Sequence, residues 1–368
     1  SPDERVRIRD FWLRDLLYTH YRIPEGGATG ALFLRSLVRD DYRSLFHAVI
    51  EASGISDHLV IEDFQHHPPG RPMNLQASRY MTDNIDLMNA LRIDDPLERE
   101  CGFIRACKYG LILKRLASIR FDALVCFADM QPIEHLAARY FRSQGIPTVT
   151  LQHGLYVDYG DMDTVNVINY RHQPSEYFLS WGANSSALIT RHNPTTVAVD
   201  CGKPLIFNAE RADAEKGAFP YVAVFLDQKI FNQQNERMLE IVLAYARRTA
   251  RAVRVRFHPS IDKKAFRTRF PEAREQLHFL DADVVVGHTS SLLYEALALG
   301  CRVLRFESDV PGLELPPSCT FSTVEQLETR MALPQPKGLS EAFFCATGAE
   351  SLVRYSAFFA RAFPKLVK

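Results

Sequence analysis

Short apolar runs alternate along the chain with apolar residues at helical spacing. Residues 31–36 (ALFLRS) read as a strand, and in 41–52 Leu45, Phe46, Val49 and Ile50 recur as one face of a helix. A strand follows at 58–63 (HLVIED), then a long polar, helical stretch over 72–118. Strands are predicted at 122–129, 146–154 and 175–182, and a helix at 132–145 starts near Pro132 and ends at Gly145. Another helix opens at Asn184–Ser186, and 197–206 (VAVDCGKPLI) closes this half. Residues 207–219 (NAERADAEKGAFP) are polar and aperiodic, the pattern of a linker. The alternation then restarts. Strands at 221–227, 253–260, 283–288 and 302–308 flank helices at 235–250 and 290–300, and terminal helices are expected over 322–331 and 350–363.

Such alternation predicts an α/β protein with parallel sheets. The expected division is an N-terminal Rossmann-like domain at 1–206, the linker at 207–219 and a C-terminal Rossmann-like domain at 220–350. The last segment, 351–368, is expected to be a helix crossing back to the first domain.

Composition narrows the class. The chain has 368 residues with 46% hydrophobic and 24% charged, the balance of a globular protein. Formal net charge is zero, so no nucleic-acid partner is expected. Seven cysteines without a C-x-x-C pair read as buried free thiols in a reducing compartment, and no zinc site is expected. There is no apolar run of about 18 residues and no apolar signal core, so a cytoplasmic protein is expected. The Arg- and aromatic-rich stretch 5–22 (RVRIRDFWLRDLLYTHYR) reads as a packed amphipathic helix. The other reading of that stretch is a peripheral contact at the inner face of the inner membrane.

Ligands of open parallel sheets bind outside the carboxyl ends of the strands. Three polar strand tips therefore carry the candidate chemistry: QHG (152–154), HPS (258–260) and GHTSS (287–291). His258 lands where Pro259 stops a strand, and its imidazole can donate to an anion. In GHTSS, Gly287 would let a ligand approach the backbone, and Ser290 or Ser291 would cap the next helix. The remaining hydroxyls, Thr289 among them, would join the helix N-terminus as a phosphate site. His288 would line a base pocket or hold the turn. Glu295, inside a largely apolar helix, needs a partner: ribose hydroxyls or an arginine. At QHG, Gly154 would let His153 project as a general base or phosphate contact, beside Gln152. Asp129 and Glu134 are further base candidates at the 122–129 tip. Asp158, Asp161 and Asp163 lie in the loop after QHG, where an Asp-x-Asp metal site is disfavoured. The run HHPPGRP (66–72) reads as a structured turn.

The pairing of RFHP with a Ser-Ser helix start about thirty residues later resembles the His-Pro and Ser-Ser/Thr motifs of bacterial sialyltransferases and polysialyltransferases. It is similar too to Kdo transferases of capsule and O-antigen assembly and to CDP-glycerol glycerophosphotransferases, whose W-H-G tip QHG resembles. The resemblance covers the second half well, 120–205 more loosely, and the first 110 residues not at all. The sialyltransferase acidic-acidic-Gly motif is not evident. The resemblance implies a GT-B fold, with an acceptor-side first domain and a nucleotide-donor second domain. It implies a metal-independent glycosyltransferase with a cytidine-nucleotide donor, a CMP-sugar such as CMP-Kdo or CMP-sialic acid, or a CDP-polyol. The product would be a bacterial surface glycan, capsule or lipopolysaccharide, on a glycan or lipid-linked acceptor. No cofactor is implied. His258, Ser290 and Ser291 would bind the donor phosphate, and His153 or Asp129 would deprotonate the acceptor if configuration inverts. Two other readings stand beside it: a UDP-sugar 2-epimerase, which also places a Gly- and Ser-containing turn before an EA helix, and a binding protein of the same fold.

Overall fold

The computed structural model describes residues 2–206 and 220–367. The linker expected at 207–219 lies outside the described residues. Helix α1 (Pro2–Tyr18) leads to a two-residue strand β1 (His20–Tyr21), then β2 (Ala31–Arg35), α2 (Asp40–Ser53), β3 (His58–Glu62) and β4 (Gln65–His66). The long helical stretch resolves into α3 (Leu75–Asp83), α4 (Asp86–Ala90) and α5 (Pro96–Leu116). Then come β5 (Ala123–Cys126), α6 (Pro132–Ser143), β6 (Thr148–Leu151), α7 (Ile168–Arg171), β7 (Tyr177–Ser180), α8 (Ala183–His192) and β8 (Val197–Asp200). The second half has β9 (Tyr221–Phe225), α9 (Asn232–Thr249), β10 (Ala252–Arg256), α10 (Lys263–Arg269), β11 (Arg274–Glu275) and β12 (Val284–Gly287). It continues with α11 (Ser291–Ala298), β13 (Val303–Phe306), β14 (Thr320–Phe321), α12 (Val324–Ala332) and α13 (Gly348–Ala362).

Two six-stranded parallel sheets result, ordered β3-β2-β5-β6-β7-β8 and β11-β10-β9-β12-β13-β14. Strand order reverses between β2 and β5 in the first and between β9 and β12 in the second, so each sheet has one crevice at its carboxyl edge. Central strands such as β2, β5, β9 and β12 are buried along their length, because helices cover both faces of a parallel sheet. One apolar cluster packs the first sheet against α5 and α6, and another packs the second sheet against α9 and α12. The third joins the domains, from Phe33, Val125 and Phe178 to Phe225, Val285 and Leu293.

The two-residue strands β1, β4, β11 and β14 are too short to leave a period in the sequence. The HHPPGRP run supplies β4 and then a turn, with Arg71 N–H donating to the Pro68 carbonyl at 3.0 Å. Helix α1 buries Leu16 on the first domain and leaves Ile8 and Phe11 exposed. Among the described residues no helix is long and apolar enough to cross a membrane. All seven cysteines are free thiols.

Helix α13 packs on α2 and the first sheet, with Phe359 6.4 Å from Phe33 and Phe358 5.5 Å from Tyr177, ring centre to ring centre. Its start is stitched to the segment after β8. Lys203 N–H donates to the Ala346 carbonyl at 2.9 Å, and Gly348 N–H to the Lys203 carbonyl at 3.0 Å. Gly202 makes this approach feasible. Its φ is +86°, and a Cβ there would overlap the Ala346 carbonyl oxygen. Gly145 has a similar φ of +79° but open space around it. Gly202→Ala is expected to cost about 2–4 kcal/mol, left-handed strain plus overlap, while Gly145→Ala costs about 1 kcal/mol. Thermal melts of the two variants check the difference.

Candidate functional site

The second domain's crevice lies between the tips of β9 and β12. Asp227, just past β9, is 6% exposed. Its Oδ2 accepts from Thr289 N–H at 2.7 Å and from the Thr289 hydroxyl at 2.5 Å. Asn235 in turn donates to the Asp227 carbonyl and accepts from its N–H. Thr289 therefore braces the turn and has both donors committed to Asp227; the expectation that it is open to a ligand is corrected. His288 is fully buried against Phe231 and Phe306, and its Nε2 shares a 3.0 Å hydrogen bond with the Ser308 hydroxyl. It holds the turn to the loop after β13. Gly287 has no left-handed φ; a Cβ there would press on Leu293 at 3.3 Å, so the glycine admits α11 onto the strand rather than a ligand onto the backbone.

Ser290 occupies the N-cap position of α11, but its side chain makes no capping bond. Neither the Ser290 nor the Ser291 hydroxyl has a hydrogen-bond partner among the described residues. The unpaired N–H groups and partial positive charge of a helix start lie beside them. These uncommitted donors are chemically suited to meet an anion.

His258 sits at the tip of β10. Ser260 N–H donates to its Nδ1 at 3.1 Å, and the Ser260 hydroxyl lies 2.8 Å from the same atom. An N–H can only donate, so Nδ1 carries a lone pair and the neutral ring's proton is on Nε2. Burial lowers the His258 pKa, against the attraction of Asp227 and with the repulsion of Arg39. The residue is thus a neutral, oriented Nε2–H donor, with Pro259 exposed beyond it.

On the first domain, His153 lies at the tip of β6 among Tyr42, Phe127 and Tyr156, with ring centres at 6.0, 6.2 and 5.6 Å. Its Nδ1 shares a 3.2 Å hydrogen bond with the Tyr156 hydroxyl, and its Nε2 has no partner among the described residues. Burial, helped by the Arg39 charge, pushes its pKa down to about 4. Arg39 is a residue that strand-tip reasoning missed. It follows β2, chelates Asp41, lies 3.9 Å over the Tyr42 ring, and its charge acts on both His153 and His258. The two histidines sit at strand tips of opposite domains, and the same Arg39 charge disfavours protonation of both.

The other first-domain candidates are structural. Asp129 is 1% exposed, and its Oδ2 accepts from Ser175 N–H at 3.0 Å. Burial raises its pKa to about 6, and its Oδ1 is buried with no hydrogen-bond partner among the described residues. Glu134 is fully buried and accepts from Ser36 N–H and hydroxyl at 2.8 and 2.6 Å and from Ala128 N–H at 2.6 Å. It ties the tips of β2 and β5 together across the first crevice, with burial lifting its pKa to about 7. Gln152 is fully buried, donating to the Gly154 carbonyl and Ser185 hydroxyl and accepting from Trp181 N–H at 2.6 Å. Gly154 has an ordinary φ and open space at its Cβ, so nothing there requires glycine. These geometries correct the ligand-facing expectations for Gln152 and Gly154.

The loop after QHG clasps the second domain instead of presenting a metal site. Tyr159 stacks on Phe231 at 6.4 Å, and its hydroxyl faces Thr289. Asp158 pairs with Arg191 at 2.5 Å and accepts from Gly160 N–H, while Asp161 is exposed. Among the described residues no group of three or more His, Cys, Asp or Glu is placed to hold a metal ion. A cleft of 690 Å³ lies between the domains, lined by Tyr156, Asp158 and Arg191 on one side and Arg305, Ser308 and Leu313 on the other. Glu295 meets Lys203 at 2.5 Å, both buried, so a lysine from the other domain is one of its partners, and the Arg256 guanidinium also feels its charge.

Two parallel sheets with facing crevices and a shared core define the architecture. The chain has the GT-B fold. No protein-family model and no curated protein matches the sequence. Solved structures with this fold do. The UDP-GlcNAc 2-epimerase of Neisseria meningitidis, bound to UDP-GlcNAc, has a TM-score of 0.57 at 12% identity over 91% of this chain and 100% of that one. The Methanocaldococcus jannaschii enzyme with UDP-GlcNAc and UDP has the same TM-score and identity over 91% and 99%. An S. aureus MnaA–UDP structure has a TM-score of 0.56 at 9% identity over 92% and 98%.

The uncommitted serines at the α11 start can be tested without knowing the ligand. Ser290→Ala and Ser291→Ala are each expected to weaken inorganic pyrophosphate binding about tenfold with an unchanged Tm. Thr289→Val is expected to cost about 1–3 kcal/mol of stability, because buried Asp227 loses a donor. Calorimetric titration and thermal melts of the three variants check this.

Proposed function

We propose that the protein is a metal-independent glycosyltransferase that takes a nucleotide-activated donor and transfers the sugar to a glycan hydroxyl. What supports this reading is a neutral His153 with an open Nε2 at a strand tip of the first domain, together with uncommitted donors at His258, Ser290 and Ser291 on strand tips of the second. His153 Nε2 takes the acceptor proton as the acceptor oxygen attacks the anomeric carbon. The bond from that carbon to the phosphate oxygen breaks on the opposite side, so configuration inverts. Charge developing on the departing nucleotide meets the His258 Nε2–H, the two serine hydroxyls and the α11 N–H groups, fixed donors that need no reorganisation. Asp129, 1% exposed, is read as a buried structural carboxylate rather than the base.

The donor nucleotide is proposed to be cytidine-based, on the likeness of the His-Pro and Ser-Ser elements to those of CMP-sugar and CDP-polyol transferases. A CMP-sugar is favoured over glycerophosphate transfer, and the acceptor is proposed to be a bacterial surface glycan, capsule or lipopolysaccharide, made at the cytoplasmic side of the membrane. A second reading has its own support. The solved structures named above are UDP-GlcNAc 2-epimerases or bind UDP, and this chain would then epimerise a UDP-sugar with no acceptor.

Incubation with CMP-, CDP- and UDP-linked sugars, with and without an acceptor glycan, separates the readings. Transfer is expected only with acceptor present; an epimerised sugar nucleotide formed without one overturns the transferase, and no turnover or nucleotide binding leaves a binding protein. His153→Ala is expected to lower kcat about 10²–10⁴-fold with donor affinity retained. A histidine with a lowered pKa stays unprotonated down to that value, so the acid limb of kcat/KM is expected near pH 4, not near an ordinary 6.5. A pH–rate profile measures it.

A further inference from the structure

The first domain carries a second concave surface, a groove of 710 Å³ along α6. Its polar lining is His135, Arg139, Arg142 and Ser143 from the helix, His172 and Gln173 from the approach to β7, and Asn193 after α8. Among the described residues no carboxylate lines it. Positions 135, 139 and 142 fall at i, i+4 and i+7, so the three basic side chains share one helix face over about 10 Å.

These side chains are held differently. Arg142 is anchored, donating to the Pro174 carbonyl at 2.9 Å and the Thr195 carbonyl at 3.3 Å. His135 donates from Nδ1 to the Asp129 carbonyl at 3.1 Å, and burial and the charges of Arg139 and His172 lower its pKa, so its ring is neutral with Nε2 an acceptor and it adds no anion donor. Arg139 and His172 are exposed, and neither has a hydrogen bond or ion pair among the described residues. Two guanidinium groups and the His172 imidazole thus converge with no acid among the described lining residues.

The groove has a direction. Helix α6 begins at the carboxyl end of β5, beside β6, whose tip carries His153, and it runs back toward the opposite end of the sheet. A chain-like ligand with one end at His153 has this basic stripe within the same domain.

We propose that the α6 groove binds anionic groups, carboxylates or phosphates, borne by a saccharide chain. That the ligand is a saccharide rests on the transferase reading; the anion site itself does not. Two extended donors, Arg139 and His172, close on the anion, and anchored Arg142 supplies fixed charge behind them.

The test is fluorescence anisotropy with three labelled oligomers of equal length: oligosialic acid, poly(glycerol phosphate) and neutral dextran. At least one of the two anionic oligomers is expected to bind, and which one binds identifies the anion. Dextran is expected not to bind. Arg139→Glu is expected to weaken anionic binding by at least about tenfold. Tm and pyrophosphate affinity in the cleft should stay unchanged, because Arg139 is exposed and touches neither core nor cleft. The double variant Arg139→Ala with His172→Ala should behave likewise without a reversed charge. Failure of both anionic oligomers to bind overturns the proposal, as does undiminished binding by Arg139→Glu. Equal binding of an oligonucleotide of the same charge overturns the saccharide assignment. If no glycosyl transfer is found but anionic binding still depends on Arg139, the transferase reading falls and the groove stands.

Discussion

Lys203 places a charge from the first domain against Glu295 of the second, with both groups buried. The ammonium also lies 4.4 Å over the Trp181 ring, and its backbone is stitched to the start of α13. A buried ion pair contributes little net stability, since desolvation of both ions offsets their attraction. Its effect is on register. Glu295 lies one turn into α11, the helix that starts at Ser290 and Ser291, so the pair fixes that helix relative to the first sheet. Sliding one domain against the other would break a buried charged contact. The stack of Tyr159 on Phe231 fastens the neighbouring edge of the same crevice.

With the domains held, the crevice follows one rule: each uncommitted polar group is oriented by a committed neighbour. Ser260 fixes the His258 tautomer, so that Nε2 carries the proton. Asp227 holds Thr289 and sets the turn from which Ser290 and Ser291 emerge. Tyr156 engages Nδ1 of His153, leaving Nε2 without a partner among the described residues. Glu134 and Gln152 act one step further back, tying strand tips together from below. Preorganisation of this kind matters because donors already aligned cost nothing to align when charge develops.

The sheets were legible from the sequence because their strands are buried on both faces and leave continuous apolar runs ended by polar tips. Strands of two residues leave no such run. Within the tips, residue type was visible but commitment was not. Thr289, Ser290 and Ser291 look alike in GHTSS, yet only the structure shows that Asp227, sixty-two residues earlier, engages the first and spares the others. Gly287 and Gly154 look like backbone openings for a ligand, whereas one makes room for Leu293 and the other has no steric need to be glycine. Arg39 and Lys203 escaped notice because a single cation in a loop has no pattern; each matters only through partners distant in sequence.

The proposed sugar transfer and its epimerase alternative ask for different bases, and the placement of carboxylates bears on that choice. Removing a carbon-bound proton from a sugar needs a base that reaches the ring carbon, and a buried carboxyl with a raised pKa suits the task only if it faces the substrate. Asp129 and Glu134 have raised pKa values, about 6 and 7, yet one is buried with its Oδ2 on the Ser175 N–H and the other is surrounded by the backbone donors of two strand tips. The proposed base, His153, is an imidazole whose low pKa makes it a weak base. A weak base suffices for an acceptor hydroxyl whose proton leaves as the new bond forms, and it is poorly matched to a carbon acid. The same low pKa means the ring resists holding the proton it accepts, which favours passing it on to solvent once the glycosidic bond has formed.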